Sequence, residues 1–278
     1  MLLIILFANL FVAVLKMVIG TLIKSTSLTA DGFHSLSDGA SNIVGLIGIW
    51  LASKPIDSDH PYGHKKFETL AGMFIGALLV LVGVKVIAGA FYKLSNPTVP
   101  TITIESIIAI FITLGINIFV CKLEYMEGKK LCSQILVSDS MHTKSDIFVS
   151  IGVIITLVGI KLGLPSIIDP LASFVVAGFI LHAAYEIFKE TGSVLVDKAV
   201  VDAERVKIIV SEFEEVKDAH NIRSRGREDD MYIDLHIMID SHMSIENCHS
   251  LSHDIEKKLK KELGDNVQVI LHLEPYKE

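Results

Sequence analysis

Two stretches of the chain set the same donors at the same spacing. His34-Ser-Leu-Ser-Asp38 and His142-Thr-Lys-Ser-Asp146 both read H-x-x-S-D. On a helix, spacing i,i+4 puts the imidazole and the carboxylate on one face, one turn apart. Two such helices facing each other would direct two imidazoles and two carboxylates to one point. That is the number and type of ligand a tetrahedral zinc site takes, with metal–donor distances of about 2.0–2.2 Å. A dication held by two carboxylates and two neutral imidazoles is net neutral, whereas the empty carboxylates, desolvated, tend to take up protons. Such a site exchanges protons for metal by its own electrostatics. Imidazole ligands favour zinc, with cobalt, cadmium, nickel or iron behind it, over magnesium and manganese. A single His/Asp pair in a soluble helix would more simply be an internal hydrogen bond or a cap. Asp31 and Asp139, three residues before each histidine, could hold a ring N–H, line a pore or play a structural part.

The surroundings decide between these readings. Of 278 residues, 51% are hydrophobic, and the mean hydropathy is +0.53, above that of a soluble domain. Six segments reach the roughly 20 apolar residues a bilayer core requires: 2–23, 27–52, 68–92, 102–123, 135–160 and 168–190. Lys54-Pro55, Asn96-Pro97 with Pro100, Gly128, Pro165 and Pro170 punctuate them. Both H-x-x-S-D motifs therefore lie inside apolar helices, where ionisable residues are functional by default. The first segment is too long for a signal-peptide core and reads as a membrane helix. Lys54, Lys65, Lys66, Lys122, Lys129 and Lys130 fall on one side of the bundle, against Lys24, Lys93 and Lys161 on the other. The bias predicts cytoplasmic termini.

From Asp197 onward the chain changes solvent. This part holds 12 Lys/Arg and 19 Asp/Glu, while residues 1–196 hold 13 of each. The whole net charge of −7 thus sits in the last 82 residues. An acidic tail argues against a nucleic-acid partner, and three scattered cysteines (Cys121, Cys132, Cys248) against a disulfide framework. The pattern predicts a helix over 203–215 and strands over 219–225 and 231–240. Tyr232, Asp234, His236, Met238 and Asp240 share one strand face. A helix over 244–263, closed by Gly264, and a strand over 266–273 complete an αββαβ order. The expected architecture is an all-α six-helix membrane bundle (1–196) followed by a soluble α+β domain (197–278).

Two further groups of donors stand outside the membrane segments. In Asp57-Ser-Asp59-His60-Pro-Tyr-Gly-His64, a turn at Pro61 and Gly63 can converge the flanking side chains; a plain surface turn capped by His60 is the alternative. The tail carries six of the eleven histidines. His236 and His272 fall on predicted strands, and His249 and His253 at i,i+4 on a helix. His242 and His253 read as exposed, and His182 as a packing or interfacial residue.

ADGFHSLSDGASN, DSDHPYGHKKFE and DSMHTKSD together resemble the cation diffusion facilitators, zinc and related metal–proton antiporters, in their prokaryotic form. The resemblance covers essentially the whole chain. It implies that His34, Asp38, His142 and Asp146 form the transport site, and that Asp57, His60 and His64 form a loop metal site. It further implies that His220, His236, His249, His272 and Glu274 bind zinc in the tail, where close relatives often carry Asp at the last position. Lys66 resembles the family lysine that pairs with an acidic residue at the start of the tail, here Asp197. A homodimer joined partly through the tails, and alternating access, are implied as well. His-Asp on both helices looks like the zinc-preferring branch. Residues 122–131 lack the histidine-rich loop of many animal members.

The expected function is export of zinc (with Cd, Co, Ni, Fe or Mn as other cargo) from the cytoplasm in exchange for protons, across a prokaryotic inner membrane. A membrane-anchored metal sensor would need no ligands at membrane depth. A proton-coupled organic-cation transporter would surround its aspartates with aromatic side chains, and segments two and five offer only Phe33, Trp50 and Phe148. Hydropathy excludes a soluble enzyme, and the hydrolytic motif H-E-x-x-H is absent.

Overall fold

A computed structural model describes residues 2–130, 134–227 and 229–276; the side chains of 2–5, 41, 42, 124, 127–130, 134–139, 141, 142 and 145 lie outside the described residues. The chain forms two compact units, Met1–Phe188 and Lys189–Glu278.

Among the described residues, six long helices build the first unit, the last of them running on into the second: α1 Leu2–Leu22, α2 Thr26–Ala52, α3 Lys66–Ser95, α4 Ile104–Lys130, α5 Gln134–Lys161 and α6 Ile168–Leu195. Only three residues join α1 to α2. The turn closes because Lys24 adopts a left-handed φ of 58°, and Ser25 caps α2 by accepting from the Leu28 N–H. Small residues let these helices approach: a Cβ on Gly32 would lie 2.7 Å from Met17 Cγ, and one on Gly20 2.6 Å from Thr29 Oγ1. Helix α1 packs on α2 and α4, α2 on α3 and α5, and α4 on α5.

Polarity in this unit runs inside out. Phe7, Phe11, Trp50, Leu81 and Phe119 are exposed, while Lys16, Asp31, His34, Asp146, Ser150 and Asp169 are buried. That is the distribution expected of a bundle whose solvent is lipid. Lys66–Ser95, Ile104–Leu123 and Ile168–Leu195 are long and apolar enough to cross a membrane among the described residues. Helix α2 matches them in length, but Ser, Thr, Asp and His crowd its first half.

In the second unit, α7 (Ala203–Val210), β1 (Asp218–Arg227), β2 (Asp230–Asp240), α8 (Ile245–Leu263) and β3 (Val267–Tyr276) follow the expected order. The sheet runs β1-β2-β3, with the first pair antiparallel and the second parallel. Ile233, Leu235, Ile237 and Ile239 on one face of β2 form a single core with Val206 and Val210 of α7 and Leu251, Ile255 and Leu259 of α8. Both helices therefore cover that face. Helix α7 ends five residues short of the expected 215. Glu212, Glu214 and Glu215 would have extended its C-terminal turn, where negative charge opposes the helix dipole.

Candidate metal centres

Within the bundle, α2 supplies His34 and Asp38 and α5 supplies Asp146. His34 Nε2 lies 3.3 Å from Asp146 Oδ1, and His34 Nδ1 lies 3.6 Å from Asp38 Oδ2. One ligand atom from each of the three can be chosen so that all lie within 4.8 Å of one another. His34 is buried, and both carboxylates are largely so. Two carboxylates and an imidazole thus share one volume, an arrangement a dication neutralises and protons can replace. His142 lies on α5 one turn before Asp146, but its side chain, like that of Asp139, is outside the described residues. Asp31, for which a ring N–H, a pore or a structural part was open, accepts from Lys16 and Ser150.

The loop between α2 and α3 converges as its turn chemistry predicts. Asp57 Oδ1 accepts from the backbone N–H of Asp59 and His60 at 3.0 and 2.7 Å, and Gly63 turns the chain with φ 85°. This brings His60 Nδ1 to 3.0 Å and His64 Nε2 to 3.3 Å from the Asp57 carboxylate. The side-chain hydrogen bond with His60 holds the Asp57 carboxyl below its ordinary range. His64 is buried and stacks on Phe67.

The tail cluster comes from strand register. His220 opposes His236, and His236 opposes His272, so three imidazoles form a row across the sheet on the face the helices leave open. Their placement depends on one irregularity. Between His220 and Arg223, β1 carries an extra residue relative to β2, with Asn221 at φ 49°. A regular ladder continued from Arg223 would turn His220 into the core. Glu274, two residues beyond His272, reaches His236 Nδ1 at 2.8 Å and His220 Nε2 at 3.3 Å. The hydrogen bond with His236, then the charges of His220 and His272, lower the Glu274 pKa. His249 does not join this cluster within one chain. It lies on α8, which covers the opposite face, with its ring 4.5 Å from that of His253. The exposed His182 pairs with Glu186 at 3.5 Å. In the turn after β2, the His242 N–H donates to Asp240.

Three buried groups escaped the pattern reading. Lys16 pairs with Asp31 at 3.0 Å and Lys93 with Asp169 at 2.7 Å. Asp169 also accepts from Ser25, Thr26 and Ser27 at the start of α2. Lys16, the one charged residue in segment 2–23, and Asp169, at the very start of segment 168–190, were signals that could have found them.

Residues 2–196 match the cation efflux transmembrane domain, and residues 200–276 match the cytoplasmic domain of cation efflux proteins. The chain belongs to the cation efflux, or cation diffusion facilitator, family. It is 31% identical over 274 residues to the uncharacterized transporter YdbO of Bacillus subtilis, covering 97% of this chain and 92% of that one. The manganese efflux system proteins MneS and MneP of the same organism are each 29% identical. MneS aligns over 96% of this chain and 92% of its own, and MneP over 99% and 95%. A cation efflux protein of this form is a multi-pass membrane protein that moves divalent metal ions, and family members are transporters rather than enzymes.

Proposed function

We propose that the protein exports zinc from the cytoplasm in exchange for protons, by alternating access of a site built from His34, Asp38, His142 and Asp146. One observation carries the reading: inside the helix bundle, α2 and α5 bring an imidazole and two carboxylates together, with one ligand atom of each within 4.8 Å of the others. In this reading all six helices span an inner membrane and both termini are cytoplasmic. Metal enters while Asp38 and Asp146 are ionised and His34 and His142 neutral. Movement of the helices exposes it outward, where protonation releases it. The loop site at Asp57, His60 and His64 then lies on the cytoplasmic side. The tail site of His220, His236, His272 and Glu274 binds metal there too, with His249 available to the open face of a second copy in a homodimer. Lys66 and Asp197 hold the hinge of that dimer.

Manganese is the second reading, favoured by the names of the relatives MneS and MneP. Imidazole in the donor set is what speaks for zinc. Proteoliposomes carrying a metal-sensitive dye and a pH gradient test both. Zinc uptake faster than manganese uptake, abolished in Asp146→Ala, is expected. Undiminished proton-driven zinc flux in that variant would refute the site.

A further inference from the structure

One helical turn from the candidate transport site stands a buried ammonium on α1, a helix that lends no donor to the three-residue cluster. Lys16 is 1% exposed. Its Nζ donates to Ser150 Oγ at 2.8 Å and Ser35 Oγ at 3.2 Å, and lies 3.0 Å from Asp31 Oδ2. Three acceptors match the three N–H groups of a lysine, and Ser150 Oγ closes the ring by donating to Asp31 at 3.0 Å.

Position gives the ring its interest. Asp31 precedes His34 by three residues on α2, and Ser150 follows Asp146 by four on α5. A cation that reaches both lies about 5 Å along the helices from the donor layer. Gly32 makes room for it, since a Cβ there would meet Met17 N at 2.8 Å. A buried ion pair is poor evidence of stabilisation in itself, because desolvation offsets most of the attraction. Asp31 Oδ1, moreover, is buried and has no hydrogen-bond partner among the described residues. The carboxylate keeps a spare acceptor, and the tethered cation is its only charged partner among the described contacts.

We propose that Lys16 is a positioning residue for the transported ion. Its fixed charge engages Asp31, which would otherwise add a third carboxylate beside the donor layer, and it repels a dication that leaves the His34–Asp38–Asp146 layer towards Asp31. The metal is thereby confined to the donor layer and bound weakly enough to be released. This rests on the transport reading above.

The two partners of the pair therefore have opposite effects. Lys16→Met frees Asp31, so the KM for metal falls by about tenfold and the maximal rate falls with it. Asp31→Asn leaves an uncompensated ammonium beside the site, so KM rises by about tenfold. Lys16→Met with Asp31→Asn returns KM to within about twofold of native. Uptake by the full chain in proteoliposomes, with zinc and with manganese, reads all three beside native protein and Asp146→Ala. A purely structural tie predicts the same direction in both single variants, with lower rates and an unmoved KM, and that result overturns the proposal. Should Lys16→Met fail to fold, an unmoved KM in Asp31→Asn alone does the same. Native protein that carries neither metal overturns the transport reading and this inference together. Native uptake with unmoved KM values overturns only the inference.

Discussion

Glu274 shows how a single residue ties the tail to pH. Its carboxylate lies among three imidazoles, and the hydrogen bond with His236 lowers its pKa. A depressed folded pKa means that the stabilisation is fully present above the ordinary glutamate value of about 4.3. It is lost as pH falls through the lower folded value. Glu274→Gln should therefore flatten the acid limb of the native protein's unfolding curve, followed by circular dichroism across pH 3 to 6 as a rough window. Identical acid limbs would show that the carboxylate contributes nothing there. Asp57 follows the same sign through its bond with His60. Neutral imidazole is the form that ligates metal, so metal taken up at either cluster should be released as the pH falls.

Elements are held at the N-terminal end of α2 by the buried carboxylate of Asp169. Asp169, at the start of α6, accepts from the Thr26 and Ser27 backbone N–H groups, from the hydroxyls of Ser25, Thr26 and Ser27, and from Lys93 of α3. Lys93 also donates to the Lys24 carbonyl in the left-handed turn. One side chain thus satisfies orphan donors of α2 and pins three helices. Removing the charge leaves the Lys93 ammonium buried and unpaired, which costs about 3–5 kcal/mol. Asp169→Asn should lower the melting temperature of the detergent-solubilised protein. Lys93→Met added to it should recover part of the loss. A melting temperature unmoved by Asp169→Asn would deny the lock its role. Close helix approach at Gly20 and Gly32 acts at the same scale, since it decides whether α1 can bring Lys16 to Asp31.

At the scale of the whole molecule, two units have different solvents and different ways of making a site. The bundle exposes apolar side chains and buries its charges. The tail buries one sheet face under α7 and α8 and leaves the other face, with its histidine row, open. An open face carrying metal donors suits association with a second copy. Light scattering in detergent should give a protein mass near twice the 30.5 kDa of one chain. A mass of one chain in the presence of zinc would count against the homodimer.

Periodicity and composition were enough to place the six helices, the αββαβ tail and the paired H-x-x-S-D motifs. Each of these depends on local spacing, and i,i+4 on a helix puts His34 and Asp38 on one face whatever the helix packs against. The loop donors were legible for the same reason, because Asp57, Pro61 and Gly63 set their own turn. Register was not legible: the row of His220, His236 and His272 exists because one extra residue in β1 shifts the pairing, and cross-strand pairing is a non-local choice. Nor could spacing reveal that Asp31 faces Lys16, 15 residues away in sequence, or that Asp169 caps α2. Those pairs form only when separate helices pack against one another. In an interior without water, a charge takes whichever opposite charge the packing brings to it.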